Sequence, residues 1–156
     1  MEAVILIGIQ GSGKSTFYTR RLFQTHVRIS LDLLKTRNRE RAFLQTCLAT
    51  GQPFAVDNTN VRAAERAVYI GAARQAGFRV KGYFFDSGLR DALRRNAQRK
   101  GAGMIPVPGV IGTHKRLERP SAAEGFHELW VVTHGEDGQF VVSPWPQAQH
   151  ETEARK

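Results

Sequence analysis

Apolar positions along the chain follow two alternating rhythms. Short apolar runs at 3–7, 27–31, 54–56, 80–85 and 128–132 predict strands. Segments with helical spacing near 15–24, 39–50, 62–75 and 89–99 separate or follow the first four runs. Gly51 and Gly77 stand where helix C-terminal caps stand, and Asn60 where an N-cap stands. This βαβα order predicts an α/β fold, a parallel sheet of about five strands with helices on both faces. Ligands of such open sheets bind beyond the carboxyl ends of the strands, so the residues just after each strand carry the functional interest. Residues 100–109, with three Gly and two Pro, read as a mobile loop behind a basic helix. Residues 127–142 read as a hairpin with Asp137 and Gly138 in its turn. Residues 1–143 are expected to form one domain and 144–156 a polar tail.

The length of 156 residues suits one domain. The longest apolar stretch near the N-terminus, 3–7, is far below the ~18 residues of a membrane helix. No membrane association is expected. Cys47 is the single cysteine, which excludes a CxxC zinc or redox motif and suits the reducing cytoplasm. The net charge of +9 is unevenly spread, with 21 basic against 7 acidic residues over 14–119 and 2 against 6 over 120–156. A positive body suits a polyanionic or phosphorylated partner; a solvated basic surface is the other reading. The histidines at 26, 114, 127, 134 and 150 show no ligand spacing and are read as structural or surface residues.

Gly8-Ile9-Gln10-Gly11-Ser12-Gly13-Lys14-Ser15 matches G-x-x-x-x-G-K-[ST], between a predicted strand and a predicted helix. Such a loop curls its backbone so that N–H groups point at phosphate, and side chains would block that approach. Gly11, Ser12, Gly13, Lys14, Ser15 and Thr16 are therefore the candidate ATP-binding residues. Lys14 would neutralise the terminal phosphates, and the Ser15 hydroxyl would ligate Mg²⁺. Phosphoryl transfer and hydrolysis share this loop, so the acceptor chemistry has to come from other residues.

Asp32 follows the second run, where its carboxylate could take a proton from an attacking hydroxyl or could N-cap the next helix. Asp57 closes the third run, where an acid could hold Mg²⁺ through water or could brace its neighbours. On the helix near 89–99, Arg95 and Arg99 share one flank of the apolar stripe, as a lid over a triphosphate requires, whereas Arg90 and Arg94 point elsewhere.

With these pieces assembled, the chain resembles the P-loop 5′-hydroxyl polynucleotide kinases, the kinase module of nucleic-acid end-healing enzymes. The matching pieces are Gly8 to Phe17, Ser30-Leu31-Asp32, Val56-Asp57-Asn58-Thr59-Asn60, Arg95-Asn96-Ala97-Gln98-Arg99 with Ile105-Pro106-Val107, and Arg119-Pro120-Ser121-Ala122-Ala123-Glu124-Gly125-Phe126. The resemblance implies that Asp32 activates a terminal 5′ hydroxyl of DNA or RNA for in-line attack on ATP. It implies that Lys14 and Ser15 hold phosphates and Mg²⁺, that Arg95 and Arg99 contact the donor, and that Asp57 supports the acceptor side. Some members place an arginine three residues after the catalytic aspartate to grip the acceptor's phosphate. Here that position is Lys35, which lacks the bidentate fork, so Arg37, Arg39 or Arg41 could take the task. Many relatives carry a phosphatase or ligase domain, and here a separate phosphatase or ligase partner is possible. A kinase for a nucleoside, sugar or antibiotic hydroxyl is the alternative, and a non-catalytic ATP-binding module the third. The oligomeric state is not legible.

Overall fold

The computed structural model describes residues 1–99 and 104–146. Its centre is β1 (Glu2–Ile7), whose five apolar residues are all fully buried. A strand rises with side chains on alternate faces, so Ala3, Ile5 and Ile7 enter one core layer while Val4 and Leu6 enter the other. Only a strand covered by helices on both faces can be apolar at every position. The sheet has six strands in the order β2-β3-β1-β4-β5-β6. β2 (Val27–Ile29), β3 (Phe54–Val56), β4 (Arg79–Phe85) and β5 (Glu128–His134) form a parallel set with β1, in which Ile5 lies opposite Val56 on one side and Gly82 on the other. β6 (Phe140–Pro144) closes the edge antiparallel to β5, as the hairpin pattern predicts.

Three helices cover the two faces. α1 (Lys14–Arg21) packs Phe17 and Tyr18 with Leu22 onto Val4, Leu6 and Phe140. Against the opposite face lie α3 (Arg37–Thr50), through Leu44 and Cys47, and α4 (Ala63–Gln75), through Tyr69, Ile70 and Ala73. α5 (Leu89–Ala97) and α6 (Val107–Arg116) form a third, smaller cluster beyond the strand ends, where Ala92 and Val110 meet Ile9 and Val61. Buried Arg66 of α4 grips Glu124 in two charged hydrogen bonds of 2.7 and 3.1 Å and donates a third to the Asn60 carbonyl. This ties the Glu-Gly-Phe segment to the loop after β3. Trp145 packs its ring against Phe84.

Four details differ from the sequence expectation. β2 stops at Ile29, because the Ser30 side chain accepts from the Asp32 N–H and caps a four-residue helix, α2 (Leu31–Leu34). Ser30, not Asp32, is therefore the N-cap. Asn60 caps nothing; it is buried with a φ of 50°, its amide donates to the Leu6 carbonyl, and α4 starts after Arg62. The Gly/Pro segment is part helix: α6 begins at Val107, and Pro108 sits in its first turn, where no N–H is needed. The remainder of that segment at 100–103, and the tail from 147, lie outside the described residues. Gly51 and Gly77, both at positive φ, end α3 and follow α4 as expected.

Candidate active site

β1 delivers the chain into the loop, and Gly13, at a φ of 103°, turns it into α1 with Lys14 as the first helical residue. Lys14 Nζ folds back to donate to the Gly8 carbonyl at 2.8 Å and the Ile9 carbonyl at 3.0 Å. Burial lowers the Lys14 pKa to about 8; the Asp57 and Asp32 carboxylates push it up and the Arg99 guanidinium pushes it down. The loop glycines also serve packing. A Cβ on Gly11, whose φ is 79°, would collide with the Ala92 carbonyl of α5. One on Gly13 would lie 2.9 Å from the His134 ring. His134 Nε2–H donates to the Ser12 carbonyl at 3.0 Å, and the ring stacks at a tilt on Phe140. The loop is thus held between the lid helix and the β5–β6 hairpin.

After β3, each residue of Asp57-Asn58-Thr59-Asn60 has its own task. The Asp57 carboxylate accepts from Ser15 Oγ–H at 2.9 Å and from Arg28 Nε–H at 2.8 Å. Asn58 accepts from the Leu31 N–H and donates to Glu40, so it fixes the start of α2 and thereby Asp32. The Thr59 carbonyl accepts from Gly8 N–H, and Asn60 donates to Leu6. Four consecutive residues pin the phosphate loop, the helix bearing Asp32 and the Ser15 hydroxyl.

Ser15 Oγ and Asp57 Oδ2 are hard oxygen donors 2.9 Å apart. Two adjacent ligands of an octahedral ion with ~2.1 Å bonds stand about 3.0 Å apart, so this pair fits Mg²⁺. Among the described residues, no group of three or more His, Cys, Asp or Glu could hold a metal by itself.

A cleft of about 900 Å³ opens beside the loop. Lys14, Ser15, Thr16, Asp32, Asp57 and Arg99 line its end beside the loop. Arg37, Glu40, Arg41 and Leu44 of α3 and Val68 and Tyr69 of α4 form the far walls. Buried Glu40 accepts from Tyr69 Oη–H at 2.6 Å, from Arg37 at 3.0 Å and from Asn58 at 3.0 Å. Burial and the Glu40 carboxylate push the Tyr69 phenol well up. Arg37 donates through one terminal nitrogen to Glu40 and to the Tyr69 oxygen, which fixes its guanidinium at the rim.

The structure brings Asp32, Lys14, Ser15, Thr16, Asp57, Arg37 and Arg99 to one cleft. Arg95 donates to the Gly11 carbonyl at 3.5 Å and so touches the loop itself. Gly11, Ser12 and Gly13 form the loop's turn. Lys35 does not join them; at a φ of 71° it ends α2, exposed and outside the cleft lining. Arg94 pairs with Asp91 on the surface, away from the loop. Arg28, Glu40, Tyr69 and His134 have no motif signal as site residues, whereas Asn58 stands in the Val56 to Asn60 match without a role of its own; an arginine between the apolar residues of β2 is the one local hint.

The family model AAA_33, described as an AAA domain, matches residues 4–117, and the chain belongs to that family. The bifunctional polynucleotide phosphatase/kinase of Schizosaccharomyces pombe is 26% identical over 135 residues, covering 84% of this chain and 33% of that protein. The chain thus spans about a third of the curated relative it matches. The AvrRxo1-ORF1:-ORF2 structure with ATP superposes with a TM-score of 0.69 at 17% identity, over 98% of this chain and 62% of that one. A gluconokinase from Sinorhizobium meliloti 1021 gives 0.60 at 17%, over 85% and 82%. The Mycobacterium tuberculosis APS kinase CysC, in complex with AMPPNP and APS, gives 0.55 at 18%, over 99% and 94%. The fold is that of the P-loop kinases. Among the described residues no helix is long and apolar enough to cross a membrane.

Proposed function

We propose that the protein is an ATP-dependent kinase that transfers the γ-phosphoryl group to the 5′ hydroxyl of DNA or RNA. The observation that carries this reading is the sharing of one cleft by Asp32, the Lys14 and Arg99 cations, and a second cationic pair, Arg37 and Arg41, on the far wall. A base, a donor clamp and a grip for an acceptor anion are the three parts that such a transfer needs. The name and 26% identity of the fission yeast relative support the polynucleotide acceptor. The lone, buried Cys47 suits a cytoplasmic setting. End healing further calls for a phosphatase or ligase acting beside this kinase.

In the proposed reaction, Asp32 accepts the proton of the acceptor hydroxyl as its oxygen attacks the γ-phosphorus in line. The bond to the β–γ bridging oxygen breaks, and ADP departs. Lys14, Arg95 and Arg99 stabilise the charge on the moving group and the leaving oxygen. Ser15 and Asp57 are the residues that would hold Mg²⁺, which when bound neutralises donor-phosphate charge. Arg37, already oriented by Glu40 and Tyr69, meets the first acceptor phosphate with the edge of its guanidinium left open. Arg41, one turn on, lines the same wall in place of Lys35.

The apolar wall residues Leu31, Leu44 and Val68, with the gluconokinase and APS kinase likenesses, favour a second reading, a kinase for a small hydroxyl acceptor. Transfer of labelled γ-phosphate to 5′-hydroxyl DNA and RNA oligonucleotides, beside 5′-phosphorylated controls, separates the two. Label confined to hydroxyl ends and lost in Asp32→Asn supports the polynucleotide kinase. Label only on nucleosides or sugars transfers the case to the second reading. ATP binding with no acceptor labelled leaves a non-catalytic nucleotide module.

A further inference from the structure

Arg28 lies in β2, whose neighbouring residues Val27 and Ile29 pack into the core on the α3–α4 side of the sheet. By strand alternation, Arg28 projects to the other face, toward α1. There its Nε–H donates to Asp57 Oδ2 at 2.8 Å, and its terminal N–H donates to Ser15 Oγ at 3.2 Å. Those two oxygens are themselves joined by the 2.9 Å Ser15–Asp57 hydrogen bond. The Asp57 side chain is only 2% exposed and that of Arg28 23% exposed. A carboxylate so buried needs a counter-charge, and Arg28 supplies it. The guanidinium therefore engages the same two atoms that would hold a divalent cation.

We infer that Arg28 is a built-in monocation of the nucleotide site, competing with Mg²⁺ for Ser15 and Asp57 and letting the loop take a metal-free nucleoside di- or triphosphate. Coordination of Mg²⁺ by both oxygens requires that Arg28 give up two charged hydrogen bonds. The advantage that Mg²⁺ confers on nucleotide binding is reduced by that loss. The inference rests on the nucleotide reading of the loop, and the identity of the acceptor does not enter it.

The test is calorimetric binding of ADP to the wild type and Arg28→Met, each in excess Mg²⁺ and in EDTA. The quantity read is the ratio of the two dissociation constants, EDTA over Mg²⁺. Charged hydrogen bonds of this kind are worth enough that Arg28→Met is expected to raise this ratio about tenfold or more over the wild type. A purely structural arginine would weaken both affinities alike and leave the ratio unchanged, which overturns the inference. Arg28→Lys keeps one positive charge but cannot bridge both oxygens, and it is expected to fall between the two. It serves as the variant of record if Arg28→Met does not fold. A wild-type protein that binds ADP under neither condition overturns the nucleotide reading and this inference together. One that binds ADP with a ratio indifferent to residue 28 overturns this inference alone.

Discussion

The two ends of the cleft are built by different means. The donor end is a backbone device: a loop of contiguous residues, clamped by the Ala92 carbonyl on one side and His134 on the other, with its amide groups fixed by the turn itself. The proposed acceptor end is a side-chain device: Glu40, Asn58, Tyr69 and Arg37 converge from α3, the loop after β3 and α4, and their hydrogen bonds set the position of Asp32 only through the Leu31 N–H. A backbone cradle recognises a group common to many ligands. A side-chain cage can be altered one residue at a time, and it is the end at which a change of acceptor requires the fewest substitutions.

Substitutions can separate the two ends. Asp32→Asn leaves the loop untouched and removes the proposed base, so kcat for transfer is expected to drop by about 10²- to 10⁴-fold while ADP affinity stays constant. Equal losses in both would show that α2 also supports the donor. Glu124→Ala strands the buried Arg66 guanidinium and loosens the Asn60 loop that serves both ends. Denaturant unfolding should reveal a loss of about 3–5 kcal/mol, a large share of an ordinary domain's stability. Arg37→Met acts on the acceptor end alone; because that side chain is 63% exposed, the increase in KM for a 5′-hydroxyl oligonucleotide stays near about tenfold, with kcat little changed.

The smallest effect is one of pH. With its pKa lowered to about 8, Lys14 is charged below that pH and progressively neutral above it. Bound phosphate favours the charged form. Metal-free ADP affinity therefore falls as the pH rises through 8, by about fivefold between pH 8 and pH 9, with a proton taken up on binding. Calorimetry above pH 8 in two buffers of different ionisation enthalpy measures that uptake. A pH-independent affinity with no proton uptake would mean that Lys14 stays charged in the free loop.

How much was legible follows the same division. The loop announces itself in eight adjacent residues, and the placing of Asp32 and Asp57 after strands follows from where apolar runs stop. Local rules failed where a side chain acts at long range. Asn60 has the chemistry of an N-cap, yet its amide is engaged by the Leu6 carbonyl, 54 residues away. Glu40 and Tyr69 are 29 positions apart, and only the packing of α3 beside α4 shows that one oxygen faces the other. α6 was hidden by Pro108, Gly109 and Gly112, which weaken a helical pattern without forbidding it when the proline lies in the first turn.

The place of β1 in the sheet has a consequence in time. β1 is the first strand of this sequence to be synthesised, while its two partners, β3 and β4, end at Val56 and Phe85. At a ribosomal pace of roughly 5–20 residues per second, β1 waits several seconds for its second neighbour, its apolar side chains not yet covered by the finished sheet. An apolar strand that waits this long for its partners is prone to self-association until they arrive.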